Sequence, residues 1–396
     1  MTDFFGFPRP DGSVGARNFV LVLPGGYIAD NVCHLVCGVC TLRRSNPGMD
    51  QTPRDRATAA RTLVGLGMNP NVAAVIVHDG GLTSEYPEFN AEALAEQIAS
   101  SGKPVEVVKT VEVGGTLEAI ARAARTAVLL ARDASRQRRE RFGLDKLCLS
   151  LKCGWSDPTS GIAGNPVVGY LYDRVLEAGG TALFGETVEV IGAEHILAQR
   201  AASPRVREAL LAAVAEVERA ALDLGVDIRN VNPVPANKEA GITTLEEKSL
   251  GALYKSGTAP IQGVLRYGER PPGKGLYYVD NSPTPLSIYP GYAAAGSQLS
   301  LWQLGGGGIP NISVLHPSPA PLMPLMWLTA NAATNERCRG SIDFYSSTVV
   351  QGKESVEEAG ERLLQLVAEI ASGTLTYSET LNYAEQADIY SLDRVF

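Results

Sequence analysis

The chain has 396 residues, 45% of them apolar, and a formal charge of −8, a length that suits two or three domains with full hydrophobic cores. Mild acidity argues against a nucleic-acid partner, because the one basic run, RDASRQRRER at 132–141, reads as the exposed end of a helix. The opening MTDFFGFPRP has no basic segment leading into an apolar one, and nowhere are there ~18 uninterrupted apolar residues, so no signal peptide and no membrane span are expected, and the protein reads as soluble and cytoplasmic.

After a turn-rich entry, RPDGSVGARN, the run NFVLVLP does not alternate and predicts a strand buried on both faces. Helices are predicted over 30–41, 54–66, 91–99 and 117–138, and strands over 71–78 and 105–109. Strands alternating with helices imply a parallel sheet. Six cysteines in so long a chain do not make a disulfide framework. Cys33, Cys37 and Cys40 are spaced for one helix face, and with His34 they invite a metal reading. Core packing is the simpler reading, with metal ligation as its alternative, since no second Cys/His pair follows at zinc-site spacing. His78 follows its strand directly, at the carboxyl end of the sheet, where it either lines a site or is solvated.

The polar run 136–141, ending in Phe142-Gly143, marks a boundary between an amino-terminal α/β domain, 1–143, and a carboxyl-terminal α/β domain, 144–396, that carries the main motifs. The fold class is α/β, with two Rossmann-like parallel-sheet domains. The densest chemistry lies in 148–200, where a strand over 148–151, a helix over 167–176 and a strand over 181–184 form a βαβ unit. Its strands are parallel, so Lys152-Cys153-Gly154 and Gly185-Glu186 leave on one carboxyl edge, where open α/β sheets bind ligands. Lys152, Cys153, Asp157, Glu186, Glu189 and His195 are therefore candidates for one crevice. A helix over 203–224 leads to NPVPANK at 232–238, which breaks all periodicity. Thr243 or Thr244 caps the next helix, whose first turn suits Glu246 and Glu247. Strands over 275–280 and 298–303 flank a small-residue helix around 292–296. Gly305 to Gly308 reads as a turn or oxyanion-contact loop rather than a phosphate cradle, and a helix over 355–371 closes the chain.

Five motifs, FFGFPRPDGSVGARN, LKCGWSDPTSGIAGNPVVG, FGETVEVIGAEHILAQRA, NPVPANKEAGITTLEEKSLGALYKSG and GLYYVDNSP with AAAGSQL, together resemble the altronate and galactarate dehydratase family over nearly the whole chain. Around KCGWSD and FGETVEVIGAEH the likeness extends to the sulfo-lyase members of that family. The resemblance implies a metal-dependent lyase that removes water, or sulfite, from a hydroxylated carboxylate. It also implies a small amino-terminal module that is absent here or sits on a separate chain as a small partner subunit. Two ligand-bearing stretches of the family differ: its histidine and cysteine after the first helix are replaced by TLRRSNPGMD, and its Gly-Cys-Glu by the His78-Asp79 region. Its Gly-Arg-Gly type loop is Gly305 to Gly308 here. Those departures favour Mg²⁺, or no ion, over tightly held Fe²⁺.

Eliminating a β leaving group from a hydroxy acid needs a base, a cation and an acid. Lys152 would stabilise negative charge or act as base, Cys153 would ligate a metal, and Glu186, Glu189 and His195 would hold the metal or relay protons. Cys153, Glu186 and His78 are the metal candidates. Asn237, Lys238, Thr243, Thr244, Glu246 and Glu247 would orient a small hydroxy-carboxylate substrate. The blander reading places Glu186 and Glu189 at a helix amino terminus and Glu194 and His195 on the surface. A homo-oligomer is expected, and a non-catalytic binding or regulatory subunit is the alternative to an enzyme.

Overall fold

The computed structural model describes residues 2–43, 52–80, 86–306, 318–381, 384 and 386–391. Strands β1 (Asp3–Pro8) and β2 (Val14–Gly15) pair antiparallel at the start of the chain. Strands β3 (Phe19–Leu23), β4 (Val39–Cys40), β5 (Val72–His78) and β6 (Val105–Val108) then form a parallel sheet in the order β4-β3-β5-β6. The apolar runs FVLVL and VAAVIVH suit this sheet because helices cover both of its faces. Val20, Val22, Ala74 and Ile76 pack with residues of the helices Tyr27–Leu35 and Thr116–Ala134. On the other face Leu21, Leu23, Val75 and Val77 pack with residues of Pro53–Gly67 and Ala91–Ala99.

The first helix is shorter than the predicted 30–41. It stops at Leu35, Val36 is extended, and Gly38, at a φ of 77°, turns the chain into β4. Cys33, Cys37 and Cys40 consequently do not share a helix face: Cys40 is buried on β4, Cys37 is exposed, and all three are free thiols.

The long helix ends at Ala134 rather than 138, and the basic run leads into β7 (Glu140–Gly143), which pairs antiparallel with β1 from Asp3↔Gly143 to Gly6↔Glu140. Two arginines clasp this ribbon to the far end of the chain. Arg17, almost fully buried, donates to the carbonyls of Ile370 and Thr374 and forks onto Glu379 at 2.7 and 2.8 Å. Arg139 donates to the carbonyls of Phe5, Ala16 and Ala371.

Strands β8 (Cys148–Gly154), β9 (Thr181–Phe184), β10 (Ile261–Leu265), β11 (Gly275–Val279), β12 (Leu299–Leu304), β13 (Leu325–Thr329) and β14 (Phe344–Tyr345) form a second sheet, ordered β10-β11-β9-β8-β12-β13-β14 and parallel throughout. From β8 the chain winds outward through β9, then returns to the opposite side at β12. The carboxyl ends of β8 and β12 therefore flank a topological switch point, the position where open α/β sheets form a ligand crevice. Leu149, Leu151, Ala182, Phe184, Leu276 and Leu301 meet helix Asn165–Glu177 and helix Val356–Ala371 in one apolar core. Helix Pro285–Ala294 begins earlier than the predicted 292–296 and is buried along nearly its whole length.

Candidate functional site

The β8–β9 register, from Cys148↔Thr181 to Ser150↔Leu183, brings Lys152-Cys153 and Gly185-Glu186 to the same edge, as the βαβ reading expects. Gly185 has no room for a side chain, since a Cβ there would lie 2.4 Å from both the Asn281 amide oxygen and the Val279 carbonyl. Glu186 takes the left-handed conformation, at a φ of 69°, which a residue with a Cβ adopts at a cost. Its N–H donates to Asn281 Oδ1 at 2.8 Å. This turn aims the Glu186 carboxylate back across the end of β8, with no exposed surface.

There each carboxylate oxygen finds a donor. Lys152 Nζ donates to Glu186 Oε1 at 2.8 Å and to its own neighbour's carbonyl, Cys153 O, at 2.8 Å. The Cys153 N–H and Lys255 Nζ both donate to Glu186 Oε2, at 3.0 and 2.6 Å. Glu189, on the 3-10 turn Thr187–Glu189, accepts the Cys153 thiol at 2.5 Å and lies 3.4 Å from Lys255 and 3.5 Å from Lys248. Lys152 Nζ also sits 5.2 Å from the Trp302 ring centroid. Three lysines, two glutamates and a thiol thus converge, all of them buried except the partly buried Lys248.

Burial pushes the Cys153 thiol above its ordinary range, and Glu186 and Glu189 push it further, so it holds its proton. Burial works to raise the Glu189 carboxyl, but Lys248, Lys255, Lys152 and the thiol outweigh it and hold the group at about 2. Burial works to lower the Lys255 ammonium, and the thiol with the two carboxylates outweighs that, so it stays charged.

Cys153, Glu186 and Glu189 each offer a ligand atom within 4.8 Å of the others, a spacing at which the three can hold a metal ion. Lys255 Nζ already lies against all three, at 3.2 Å from Cys153 Sγ, 2.6 Å from Glu186 Oε2 and 3.4 Å from Glu189 Oε2. As arranged, all three donor residues are engaged by this ammonium.

The other expected residues are placed differently. Asp157 is buried in the turn after β8, where it accepts from Thr159 Oγ1, the Ser160 N–H and Asn331 Nδ2, so it fastens the turn to the segment after β13. Gly305 and Gly306 pack against that turn: a Cβ on Gly305 would stand 2.4 Å from the Trp155 carbonyl, and one on Gly306 2.3 Å from Asn331 Nδ2. Close backbone approach is what requires glycine there. Gly307 and Gly308, like most of TLRRSNPGMD, lie outside the described residues.

His195 is exposed on the short helix Glu194–Leu197. His78 is buried at the end of β5 in the other sheet, with neither ring nitrogen hydrogen-bonded among the described residues, and does not join the Cys153 group. Asn237 is buried and donates to the Ser156 carbonyl at 2.9 Å, supporting the turn after β8, while Lys238 is exposed. Thr244 caps helix Leu245–Leu253 through the Glu247 N–H, Glu247 in turn accepts from Thr243, and Glu246 pairs with Arg229.

Sequence reasoning missed Lys248 and Lys255. A usable signal was present, because the two stand seven apart, two helical turns, in LEEKSLGALYKSG and so lie on one face. Also missed were Tyr289 Oη and Trp302 Nε1, buried and without hydrogen-bond partners among the described residues, whose rings lie 5.7 Å apart, that of Trp302 beside Lys152. A cavity of about 690 Å³ lies elsewhere, against Asp30, Cys33, His34, Cys40, Met323 and Glu379, and no residue of the lysine–glutamate cluster lines it.

Comparison with known proteins adds to this geometry. Residues 144–392 match the model for the D-galactarate/altronate dehydratase C-terminal domain, and residues 6–135 match the second domain of D-galactarate dehydratase/altronate hydrolase. The subunit beta of (2R)-sulfolactate sulfo-lyase from Chromohalobacter salexigens is 35% identical over 96% of this chain and 96% of its own length. Altronate dehydratase from Bacillus subtilis is 28% identical over 97% of this chain and 77% of its own length. Galactarate dehydratase (L-threo-forming) from Escherichia coli is 30% identical over 65% of this chain and 48% of its own length.

Proposed function

Because the chain belongs to the D-galactarate/altronate dehydratase family, we propose that it is a lyase acting on a small hydroxylated carboxylic acid, from which it removes water or another β leaving group such as sulfite. The relatives are dehydratases and a sulfo-lyase, which supports lyase chemistry in general. Within that class the reading is a carbon–oxygen hydro-lyase or a related carbon–sulfur lyase. The observation that carries it is the convergence of Lys152, Lys255, Cys153, Glu186 and Glu189 in one buried cluster at the carboxyl ends of β8 and β9.

In such a reaction the C–H bond beside the substrate carboxylate breaks, and its electron pair moves into an enediolate. That pair then forms the C=C bond as the bond to the leaving group breaks and the group departs with its electrons. The Lys152 and Lys255 ammoniums stabilise the negative charge that develops, an effect that is strong where water is excluded. The Cys153 thiol and the Glu189 carboxylate, 2.5 Å apart, hold one proton between them. The carboxylate, held at about 2 while the lysines face it, becomes the group to accept the proton from carbon once the substrate carboxylate draws those ammoniums to itself, and the thiol is the group to give one to a departing hydroxide, which leaves as water. Sulfite departs without needing that proton. No step of this reading runs through a metal. Asn237 acts indirectly, by holding the Ser156 turn.

Because one relative is named as a subunit, a separate small subunit is part of the proposal, and the assay should include a sample co-expressed with one. The test is a screen of aldonates, aldarates and (2R)-sulfolactate, read out as 2-oxo acid formation and as free sulfite. Turnover on at least one acid, lost in Cys153→Ala and Lys152→Met, is expected. Saturable binding of such an acid with no turnover under any condition would instead support a non-catalytic binding subunit.

A further inference from the structure

We propose that Lys255 supplies, as a fixed part of the chain, the positive charge that a divalent ion would otherwise bring to this site, so that the elimination runs without a bound metal. This rests on the lyase reading above. An ammonium has three N–H donors and no acceptor. Lys255 meets three acceptors, Glu186 Oε2, Cys153 Sγ and Glu189 Oε2, on the same three residues whose ligand atoms are spaced to suit an ion. The remaining oxygens are engaged as well, Glu186 Oε1 by Lys152 at 2.8 Å and Glu189 Oε1 by Lys248 at 3.5 Å. Three ammoniums against two carboxylates leave an excess of one positive charge. A substrate carboxylate would neutralise that excess, whereas a divalent ion would enlarge it inside a volume where unpaired charge is costly.

The backbone gives Lys255 little freedom to withdraw. It lies on the 3-10 turn Tyr254–Ser256, which continues from helix Leu245–Leu253 and is buried at Lys255 and Ser256. The turn rests directly on helix Asn165–Glu177: a Cβ on Gly169 would stand 2.1 Å from the Tyr254 carbonyl and 3.1 Å from the Gly257 nitrogen. Asp173 of that helix accepts from the Thr258 and Ala259 N–H groups and fixes the chain beyond. A side chain anchored so closely is positioned as an ion held by its ligands would be.

The experiment uses the full chain purified without oxygen and titrated with Co²⁺, followed by the thiolate-to-cobalt absorption band and by metal content after desalting. Wild type is expected to retain substoichiometric metal, to show no such band, and to keep its turnover after dialysis against a chelator. Lys255→Met, checked for folding by circular dichroism, should bind Co²⁺ tighter by roughly tenfold or more, with a band that disappears when Cys153→Ser is added. Stoichiometric Co²⁺ or Fe²⁺ in wild type with a Cys153-dependent band would overturn the proposal, as would turnover lost on chelation and restored by an ion. A folded Lys255→Met that binds Co²⁺ no better than wild type would also overturn it. If the variant does not fold, the wild-type titration decides alone. Absence of turnover on every acid, with wild type excluding the ion, would defeat the lyase reading and leave the cation assignment standing.

Discussion

Glutamine at position 186 keeps the side chain's size and removes one of the two negative charges that face three ammoniums. Both Glu186 oxygens accept hydrogen bonds, one from Lys152 and the other from Lys255 and the Cys153 N–H. Whichever way the amide of Glu186→Gln turns, its NH₂ meets a donor. At an effective dielectric near 20, an ion pair at these distances of 2.8 and 2.6 Å is worth roughly 6 kcal/mol before desolvation is subtracted. Breaking a buried pair from one side costs about 3–5 kcal/mol net, a large share of the ~5–15 kcal/mol that holds a typical domain together. Urea unfolding at pH 7, followed by circular dichroism, should show a loss of that size, and turnover should fall with it. A loss under ~1 kcal/mol, the size expected of a surface pair, would refute the assignment of Glu186 as the counter-charge of the cluster.

Two further outcomes concern groups outside the ion cluster. Burial lowers His78 to about 4, against an ordinary 6.5, with Asp79 and the Gly80 backbone opposing weakly; the unfolded chain therefore takes up this proton first as pH falls from 6.5 to 4, and about 3 kcal/mol of stability present above pH 6.5 is lost. Asp343, raised to about 6 by burial against opposing backbone hydrogen bonds, slopes the other way, so the readout is the difference between wild type and His78→Leu, which should shift in the variant's favour on acidification; parallel profiles would count against a buried neutral histidine. Tyr289→Phe removes a buried hydroxyl with no partner among the described residues and should leave stability unchanged or raise it by about 1 kcal/mol, and a clear loss would mean that the hydroxyl is satisfied in solution.

The parallel sheets were readable because their strands are unbroken apolar runs. VAAVIVH, CLSLKCG and TALF each point both faces into helices, and the residues after them necessarily share an edge. Glu186, Lys152 and Cys153 were found for that reason. The ribbon of β1 and β7 was not found, since it joins residues more than 130 positions apart and its half-exposed ERFG carries no apolar run. Thr244, Glu246 and Glu247 attracted attention by their chemistry, yet hydrogen bonds within the helix start and to Arg229 use them locally. Lys255 escaped because a lysine at the end of a helix reads as solvated until the approach of Gly169 to its turn shows that it is enclosed.

The arginine clasp makes residues 5–17 and 370–379 one mechanical unit. Arg139 holds the Phe5 carbonyl and the last turn of helix Val356–Ala371 together, and Ser372 Oγ accepts the Phe5 N–H. That helix lies on helix Asn165–Glu177, where Gly360 leaves space for the Tyr170 ring, and the second helix runs back to the turn that follows Cys153. A fusion partner or a cut within the first eight residues would therefore slacken a closing helix some 360 positions away. From there the disturbance has a packed route toward the lysine cluster. For anyone engineering this chain, new sequence is better placed at the exposed turn around Gly225, where a side chain would meet nothing within 4 Å.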